Sequence, residues 1–319
     1  VGAGDLLLDA LDGIERVETV AAHVDGAGAE REGERVEDQV AGGQPVLLDC
    51  DLRQSVGHLH LPLHVTCLPA FVDESTLVIV SSYSGNTEET LANLEQCAAS
   101  GARIICVASG GKIISLAENQ GYEHVRVPDN WPSPRACLGY SLVAQLYILN
   151  KLGLIDDRFE SELEASIRLM ESEKESIIER ARHLASSLFG KKVIIYSTDR
   201  MEPVAVRFRQ QINENAKRLC WHHVIPEMNH NELVGWRDNA DDKAVIILRS
   251  KDDYSRSQLR MEINKKVIKK YTSTIVEIEA EGKTYWEQAF HLIHLTDWVS
   301  VLLADMRALD ATEVKVIDF

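Results

Sequence analysis

The chain has 319 residues, of which 45% are hydrophobic and 26% are charged, a composition typical of a folded globular protein of one or two domains. Its 50 acidic residues outnumber its 34 basic residues, giving a formal net charge of −16 at pH 7. This charge disfavours general nucleic-acid binding, and no apolar run approaches the roughly 18 residues that a membrane helix needs. We therefore expect neither nucleic acid nor a membrane as a partner.

The cysteines and the first residues both indicate a cytoplasmic protein. The early apolar stretch lacks a basic region before it and is interrupted by Asp5, unlike a secretory signal. The cysteines are widely scattered and form no C-x-x-C pair, which predicts reduced and mostly buried thiols. They are Cys50, Cys67, Cys97, Cys106, Cys137 and Cys220.

The first part of the chain differs in composition from the rest. No lysine occurs from Val1 to Gly111, and Ile14 is the only isoleucine before Ile79. Two interpretations fit: a polar helical segment with glycine-rich loops, or a stretch that is not the authentic reading of the gene, such as a frame error. Residues 1–44 are therefore set apart as an N-terminal segment with no predicted fold.

Further along, short apolar runs alternate with stretches of helical spacing. Because strand, helix and strand in this order form right-handed βαβ units, the pattern predicts a parallel sheet. The first predicted strands lie at residues 45–49, 76–81, 103–108 and 123–127, and the helices at residues 87–99 and 138–152.

A second series repeats this architecture without obvious sequence identity. It begins with one long amphipathic helix over residues 160–188, followed by strands at residues 192–196, 244–248 and 273–278 and helices at residues 203–219, 255–271 and 284–309. We predict an α/β fold of two doubly wound domains with parallel sheets of the flavodoxin-like kind. The predicted domains span residues 45–153 and 154–319.

Hydroxyl side chains are concentrated where the strand at residues 76–81 ends and the next helix begins. Ser82, Ser84 and Thr87 offer hydroxyl donors, and Gly85 lets the backbone approach a ligand closely. A helix N-terminus at the end of a parallel strand attracts anions without a lysine. The loop predicts a site for a phosphate monoester, and a helix cap rich in serine and threonine is the alternative.

Five blocks of sequence stand out together, namely residues 82–90, 134–140, 213–217, 228–236 and 309–318. They resemble the corresponding blocks of one known family, the bifunctional phosphoglucose/phosphomannose isomerases of the sugar isomerase (SIS) superfamily. The first block alone, S-Y-S-G-N-T-E-E-T, marks only the superfamily, whereas the blocks in this order are specific for the family. The likeness runs from about residue 68 to the end.

The resemblance implies an aldose–ketose isomerase that converts fructose 6-phosphate to glucose 6-phosphate, mannose 6-phosphate or both through a cis-enediol, in glycolysis or gluconeogenesis. It assigns Glu214 as the base, His230 to ring opening and Arg135 to stabilising the enediolate. It assigns Thr312 to leaving room for both C2 epimers. It also implies a homodimer with shared active sites. The reaction needs no metal if the base, the ring-opening group and the positive charge are present, so we expect neither a metal nor another cofactor.

Each of these residues has a simpler interpretation when it is taken alone. Glu214 lies three residues before Lys217, the spacing of a helical ion pair. His230 lies in a polar turn, where a histidine is usually only solvated. Arg135 precedes an apolar helix, although positive charge there opposes the helix dipole. Only the order of the blocks favours the functional interpretation.

Two departures from the family pattern are visible. The family has a glycine-rich loop with a phosphate-binding serine after its first strand, and no such loop follows residues 45–49. The family also has a lysine near its C-terminus, after the final block, that assists ring opening. Lys315 lies within that block, so the role is not transferred to it.

Histidine clusters raise the alternative of a metal site, which we do not expect. Adjacent His222 and His223 would point apart on a strand, and no further cysteine or carboxylate completes either cluster at a familiar spacing. His291 and His294, on the last predicted helix, are expected at the edge of the core, as are the aromatic residues around them. The two clusters are His58, His60 and His64, and His222, His223 and Glu227.

A non-catalytic sugar-phosphate sensor is the alternative function, because SIS domains also serve as sensors. A sensor would need the loop at residues 82–87 but would not need Glu214, and the chain shows no basic DNA-recognition helix. An amidotransferase synthase would require an N-terminal nucleophilic cysteine, whereas residue 1 is valine.

Overall fold

The computed structural model describes residues 46–48, 68, 69 and 71–317, with the backbone alone for residues 46–48. The described residues fall into two compact units, which divide between residues 129 and 130. This division lies before the predicted domain boundary at residue 153, which stays a prediction. None of the helices in the described ranges is long and apolar enough to cross a membrane.

The first unit is built on a parallel sheet of four strands whose order in the sheet follows the sequence. Its central strands consist mainly of β-branched, fully buried residues, as expected where both faces of a sheet are covered. The elements are β1 (Val46–Leu48), β2 (Leu77–Ser81), α1 (Glu88–Ala99), β3 (Arg103–Ala108), α2 (Gly111–Gln120) and β4 (Glu123–Arg126).

The second unit contains another parallel sheet, with the strand order β6-β5-β7-β8. Its strands are β5 (Lys192–Thr198), β6 (Cys220–Ile225), β7 (Lys243–Arg249) and β8 (Thr274–Glu279). Its helices are α3 (Leu138–Lys151), α4 (Arg158–Ser172), α5 (Lys174–Leu188), α6 (Glu202–Glu214), α7 (Ser255–Ile268) and α8 (Tyr285–Asp305). Helix α8 packs against α4, α5 and α6. The predicted α/β fold with parallel sheets is confirmed.

The single long helix predicted for residues 160–188 is wrong. The structure has two helices, α4 and α5, separated at Glu173, whose φ of −101° and ψ of 6° depart from helical values. Neither glycine nor proline marks the break. The buried positions of the two helices recur at the same spacing, so the apolar pattern continues across the interruption and hides it.

Strand β6 and helix α2 were not predicted, and helices α6, α7 and α8 end at residues 214, 268 and 305 instead of the predicted 219, 271 and 309. Strand β6 lies at the edge of its sheet and is only partly buried, so its polar sequence, C-W-H-H-V-I, lacks an apolar run. Helix α2 begins at Gly111, the second of two adjacent glycines, a residue type that disfavours a helix. Helix α6 ends at Glu214 and not at residue 219, because Lys217 adopts a left-handed φ of 52°.

The prediction of reduced, buried thiols is confirmed for the four cysteines that the structure describes. Cys97, Cys106, Cys137 and Cys220 are free and buried. Burial raises the pKa of Cys97 to about 11 and that of Cys106 to about 12, so neither is ionised near neutral pH. Cys50 and Cys67 lie outside the described residues.

The loop between β2 and α1 packs tightly against the turn between β3 and α2. Gly85 has a φ of 66°, and a Cβ atom added there would lie 2.0 Å from the backbone oxygen of Gly110. The Gly85 carbonyl accepts a hydrogen bond from the amide of Ile113, and the Asn86 side chain accepts one from the amide of Lys112. Gly85 thus lets the loop backbone pack against this turn, and the predicted approach of Gly85 to a ligand stays a prediction.

We expect Gly85→Ala to lower the free energy of unfolding by at least about 3 kcal/mol, because it combines an unfavourable φ with a backbone clash. The matched control is Gly121→Ala, where φ is 74° but no atom lies within 4 Å of the added Cβ. It should cost only about 1–2 kcal/mol. Urea denaturation of both variants measures the difference, and equal losses would contradict the packing described for Gly85.

Candidate active site

A buried arginine connects three separate segments of the second unit. Arg135 lies in a 3₁₀ turn just before α3 and is only 7% exposed. Its Nε donates to Asn215 Oδ1 at 2.7 Å and its Nη1 to Glu214 Oε2 at 3.3 Å. Its Nη2 donates to the backbone oxygens of Ala311 and Thr312. Every nitrogen of the guanidinium group thus has an acceptor, as a buried cation requires.

Glu214 is the last residue of α6 and faces this arginine with one carboxylate oxygen. Its side chain is 30% exposed, so a ligand can reach the carboxylate. The alternative of a helical ion pair with Lys217 does not fit, because the Lys217 ammonium group donates to the backbone carbonyl of Glu214 at 2.6 Å. The structure thus pairs Glu214 with Arg135, 79 positions away in the sequence.

Lys217 ties the C-terminal segment to the end of α6. Besides the Glu214 carbonyl, its Nζ donates to the backbone oxygen of Asp310 at 3.1 Å and lies 3.9 Å from the carboxylate of Glu313. A cation is favourable at a helix C-terminus, where carbonyls lack helical partners. This contact helps to place Thr312 beside Arg135, although it is the backbone oxygen of Thr312 that meets the guanidinium group.

A second set of polar residues contacts the backbone of Arg135 and its hydrogen-bond partner Asn215. Arg207 pairs with Asp297 through two hydrogen bonds of 3.1 and 2.7 Å, and its Nη2 also donates to the backbone oxygen of Arg135 at 3.1 Å. Asn215 donates to Ser300 Oγ at 2.8 Å. Sequence reasoning did not single out any of these supporting residues. The only sequence signal for any of them was that Asn215 lies in the N-E-N-A-K block, residues 213–217.

A cavity of about 290 Å³ adjoins this cluster. Its wall combines aromatic rings with donors and acceptors, an arrangement that suits a small polar ligand. Within the described residues, Ser133 Oγ and Trp298 Nε1 are buried there without a hydrogen-bond partner. The lining residues include Arg135, Arg207, Gln211, Asn215, Phe290, His294, Asp297, Trp298 and Thr312.

His230 lies in another part of the same unit. It is exposed, between the 3₁₀ turns Glu227–Asn229 and Glu232–Gly235, and its amide donates to the Glu227 carbonyl at 2.9 Å. It is not among the residues that line the cavity. The structure therefore brings Arg135, Glu214 and the Thr312 backbone together, and the role of His230 stays a prediction.

The predicted phosphate loop belongs to the first unit. Ser82 is fully buried, and its Oγ lies 2.8 Å from the Oγ1 of Thr87. Thr87 precedes α1, but its side chain makes no capping hydrogen bond to the helix. The Oγ of Ser84, which is exposed, accepts a hydrogen bond from the amide of Asn86 at 3.3 Å. Capping therefore does not account for the Thr87 hydroxyl, and the phosphate site stays a prediction.

The histidines considered as metal ligands have other surroundings in the structure. His222 lies 3.7 Å from the carboxylate of Glu202. His291 and His294 are 1% and 3% exposed, and burial lowers the pKa of His291 to about 4. Across the part of the chain that the structure covers, no three His, Cys, Asp or Glu residues form a group that could hold a metal ion. His58, His60 and His64 lie outside the described residues.

Solved structures of low sequence identity share this fold. A hypothetical protein from Thermus thermophilus is 15% identical with a TM-score of 0.63, covering 100% of this chain and 80% of that chain. The C-terminal domain of glucosamine-fructose-6-phosphate aminotransferase from Francisella tularensis is 13% identical with a TM-score of 0.62, covering 77% and 75%. At these identities the likeness concerns the fold alone.

Sequence comparisons identify the family. Residues 177–319 match the family described as bacterial phospho-glucose isomerase C-terminal SIS domain. The bifunctional phosphoglucose/phosphomannose isomerase of Caldicellulosiruptor bescii is 39% identical over 261 residues, and that of Aquifex aeolicus is 36% identical over 253 residues. Each alignment covers 79% of this chain and 77% of the relative. The chain therefore belongs to the bifunctional phosphoglucose/phosphomannose isomerases, a family of SIS-domain isomerase enzymes.

Proposed function

We propose that this protein interconverts fructose 6-phosphate with glucose 6-phosphate, mannose 6-phosphate or both. The observation that carries the proposal is the contact between the buried Arg135 guanidinium group and the partly exposed carboxylate of Glu214. Both residues lie in blocks that resemble the isomerase family, and relatives of 36–39% identity bear the name bifunctional phosphoglucose/phosphomannose isomerase.

The proposed reaction moves a proton between C1 and C2 of the open-chain sugar. Such a step needs a base for the proton and positive charge beside the oxygen that becomes an enediolate. In our proposal Glu214 is the base and Arg135 supplies the charge. The hydrogen bonds that fix the guanidinium group before substrate binds would reduce the reorganisation that the reaction requires.

The remaining assignments follow the family resemblance. Hydroxyl groups of Ser82, Ser84 and Thr87, with the loop backbone at Gly85, would bind the phosphate. The predicted role of Thr312 is to leave room for both epimers at C2. His230 would open the sugar ring, and its exposure is compatible with the proposed homodimer, in which it would reach the active site of the other subunit.

The test is a coupled assay of the purified protein with fructose 6-phosphate, scoring both aldose phosphates. We expect Glu214→Gln to lower kcat by about 10³-fold or more while substrate affinity changes little, because the amide keeps the size of the side chain but cannot accept the proton. The matched control is Glu171→Gln, the same change at an exposed position of α4, which should retain full activity.

Three outcomes would contradict the proposal. No product from the unaltered protein in either direction would refute the isomerase activity. Unchanged turnover in Glu214→Gln would remove Glu214 as the base. Activity lost on adding a chelator, and restored by a divalent metal, would replace the metal-free mechanism with a metal-assisted one.

A further inference from the structure

The segment that carries His230 is irregular in backbone yet fixed on both sides. We define the His230 segment as residues 227–236, which contain two short 3₁₀ turns between strands β6 and β7. An exposed histidine on an unsupported loop would sample many positions and would spend little time in a reactive one. Buried polar residues on either side of His230 limit this freedom.

On the C-terminal side, the segment is attached to strand β5 through Tyr196. The Tyr196 side chain is fully buried, and its hydroxyl donates to Glu232 Oε1 at 2.5 Å. The same hydroxyl accepts a hydrogen bond from Trp236 Nε1 at 3.2 Å, and Trp236 is only 7% exposed. Burial and the neighbouring Glu232 raise the pKa of Tyr196 above its usual value, so the phenol keeps the proton that it donates.

On the N-terminal side, the segment is attached to helix α7 through Asn264. Asn264 is 1% exposed, and its Oδ1 accepts a hydrogen bond from Asn229 Nδ2 at 2.6 Å. Its Nδ2 lies 3.3 Å from the sulfur of Met228, which is itself fully buried. Asn229 is thus held directly before His230.

Local hydrogen bonds complete the support. The Asn231 side chain donates to Glu227 Oε1 at 2.9 Å and accepts a hydrogen bond from the amide of Glu232. Both immediate neighbours of His230 are therefore held by side-chain hydrogen bonds, whereas the imidazole itself is exposed. This arrangement fixes the backbone and leaves the ring free to meet a ligand.

We propose that Tyr196 and Asn264 are positioning residues for His230, and that through it they control the ring-opening step. The inference rests on the proposed function. Neither residue touches substrate in this account, since both are buried. Their effect is on the fraction of time that the imidazole spends within reach of the ring oxygen, and a displacement of about 1 Å can reduce a rate by about 10²-fold.

Ring opening can be followed separately from isomerisation. Opening and reclosing the ring interconverts the α and β anomers of glucose 6-phosphate without moving the C2 proton, and exchange NMR measures this interconversion above its spontaneous rate. Glu214→Gln should lose isomerisation and keep anomer interconversion. A variant that displaces His230 should lose both, since the open chain is needed for the later step.

We expect Tyr196→Phe to lower catalysed anomer interconversion by about 10- to 100-fold, because the missing hydroxyl releases Glu232 and Trp236. The affinity for fructose 6-phosphate and the number of binding sites, both from calorimetry, should stay within about threefold of the unaltered protein, since a positioning role predicts loss of rate and not of binding. Asn264→Ala, on the opposite side of the segment, should likewise lower anomer interconversion and leave the affinity and the number of binding sites unchanged.

Two control variants distinguish positioning from general damage. Tyr254→Phe makes the same chemical change at an exposed tyrosine and should retain both activities. Glu232→Gln keeps an oxygen that can accept from Tyr196, so it should retain most of the anomer interconversion, whereas Glu232→Ala should resemble Tyr196→Phe. Asn264→Ala provides the test if Tyr196→Phe does not fold.

The inference is overturned if the positioning variants keep full anomer interconversion, or if they lose binding sites in proportion to activity. It is also overturned if Glu232→Gln is as impaired as Glu232→Ala. These results would leave the proposed function standing. An unaltered protein that converts neither the anomers nor the isomers would instead refute the proposed function, and this inference with it.

Discussion

The candidate site in the second unit depends on the hydrogen bonds of the buried Arg135 guanidinium group. Burying a cation costs several kcal/mol unless acceptors surround it, so the segments that supply those acceptors must come together in the folded state. They are the turn before α3, the end of α6 and the irregular C-terminal segment that carries Thr312. One side chain thereby contacts both the proposed base and Thr312, the residue proposed to leave room for both C2 epimers.

Buried polar side chains hold proposed functional residues in place at two positions in this unit. The proposed functional residues lie at the end of a helix or on irregular backbone, and buried polar side chains from regular elements hold them in place. Arg207 and Asp297 support Arg135 from α6 and α8, and Tyr196 supports the His230 segment from β5. Sites built this way combine accessible reactive groups with restricted motion, which catalysis requires.

The sequence predicted the parallel sheets because their strands are short apolar runs, and it identified the family because Arg135 and Glu214 lie in recognisable blocks. Through the resemblance it assigned both residues to one reaction, but it could not predict their direct hydrogen bond, since nothing local relates residues 79 positions apart. The break at Glu173 was hidden because apolar spacing continues across it. The support from Tyr196 was missed because a tyrosine in a buried strand looks like ordinary core.

The central claim is that hydrogen moves between neighbouring carbons as a proton carried by a carboxylate beside Arg135. The most direct test is to convert fructose 6-phosphate to glucose 6-phosphate in D₂O and to examine C2 of the product by NMR. A proton held on a partly exposed carboxylate exchanges with solvent, so deuterium should accumulate at C2 over repeated turnovers. Product formed over many turnovers with only protium at C2 would contradict the account, in which the proton rests on a carboxylate that solvent can reach.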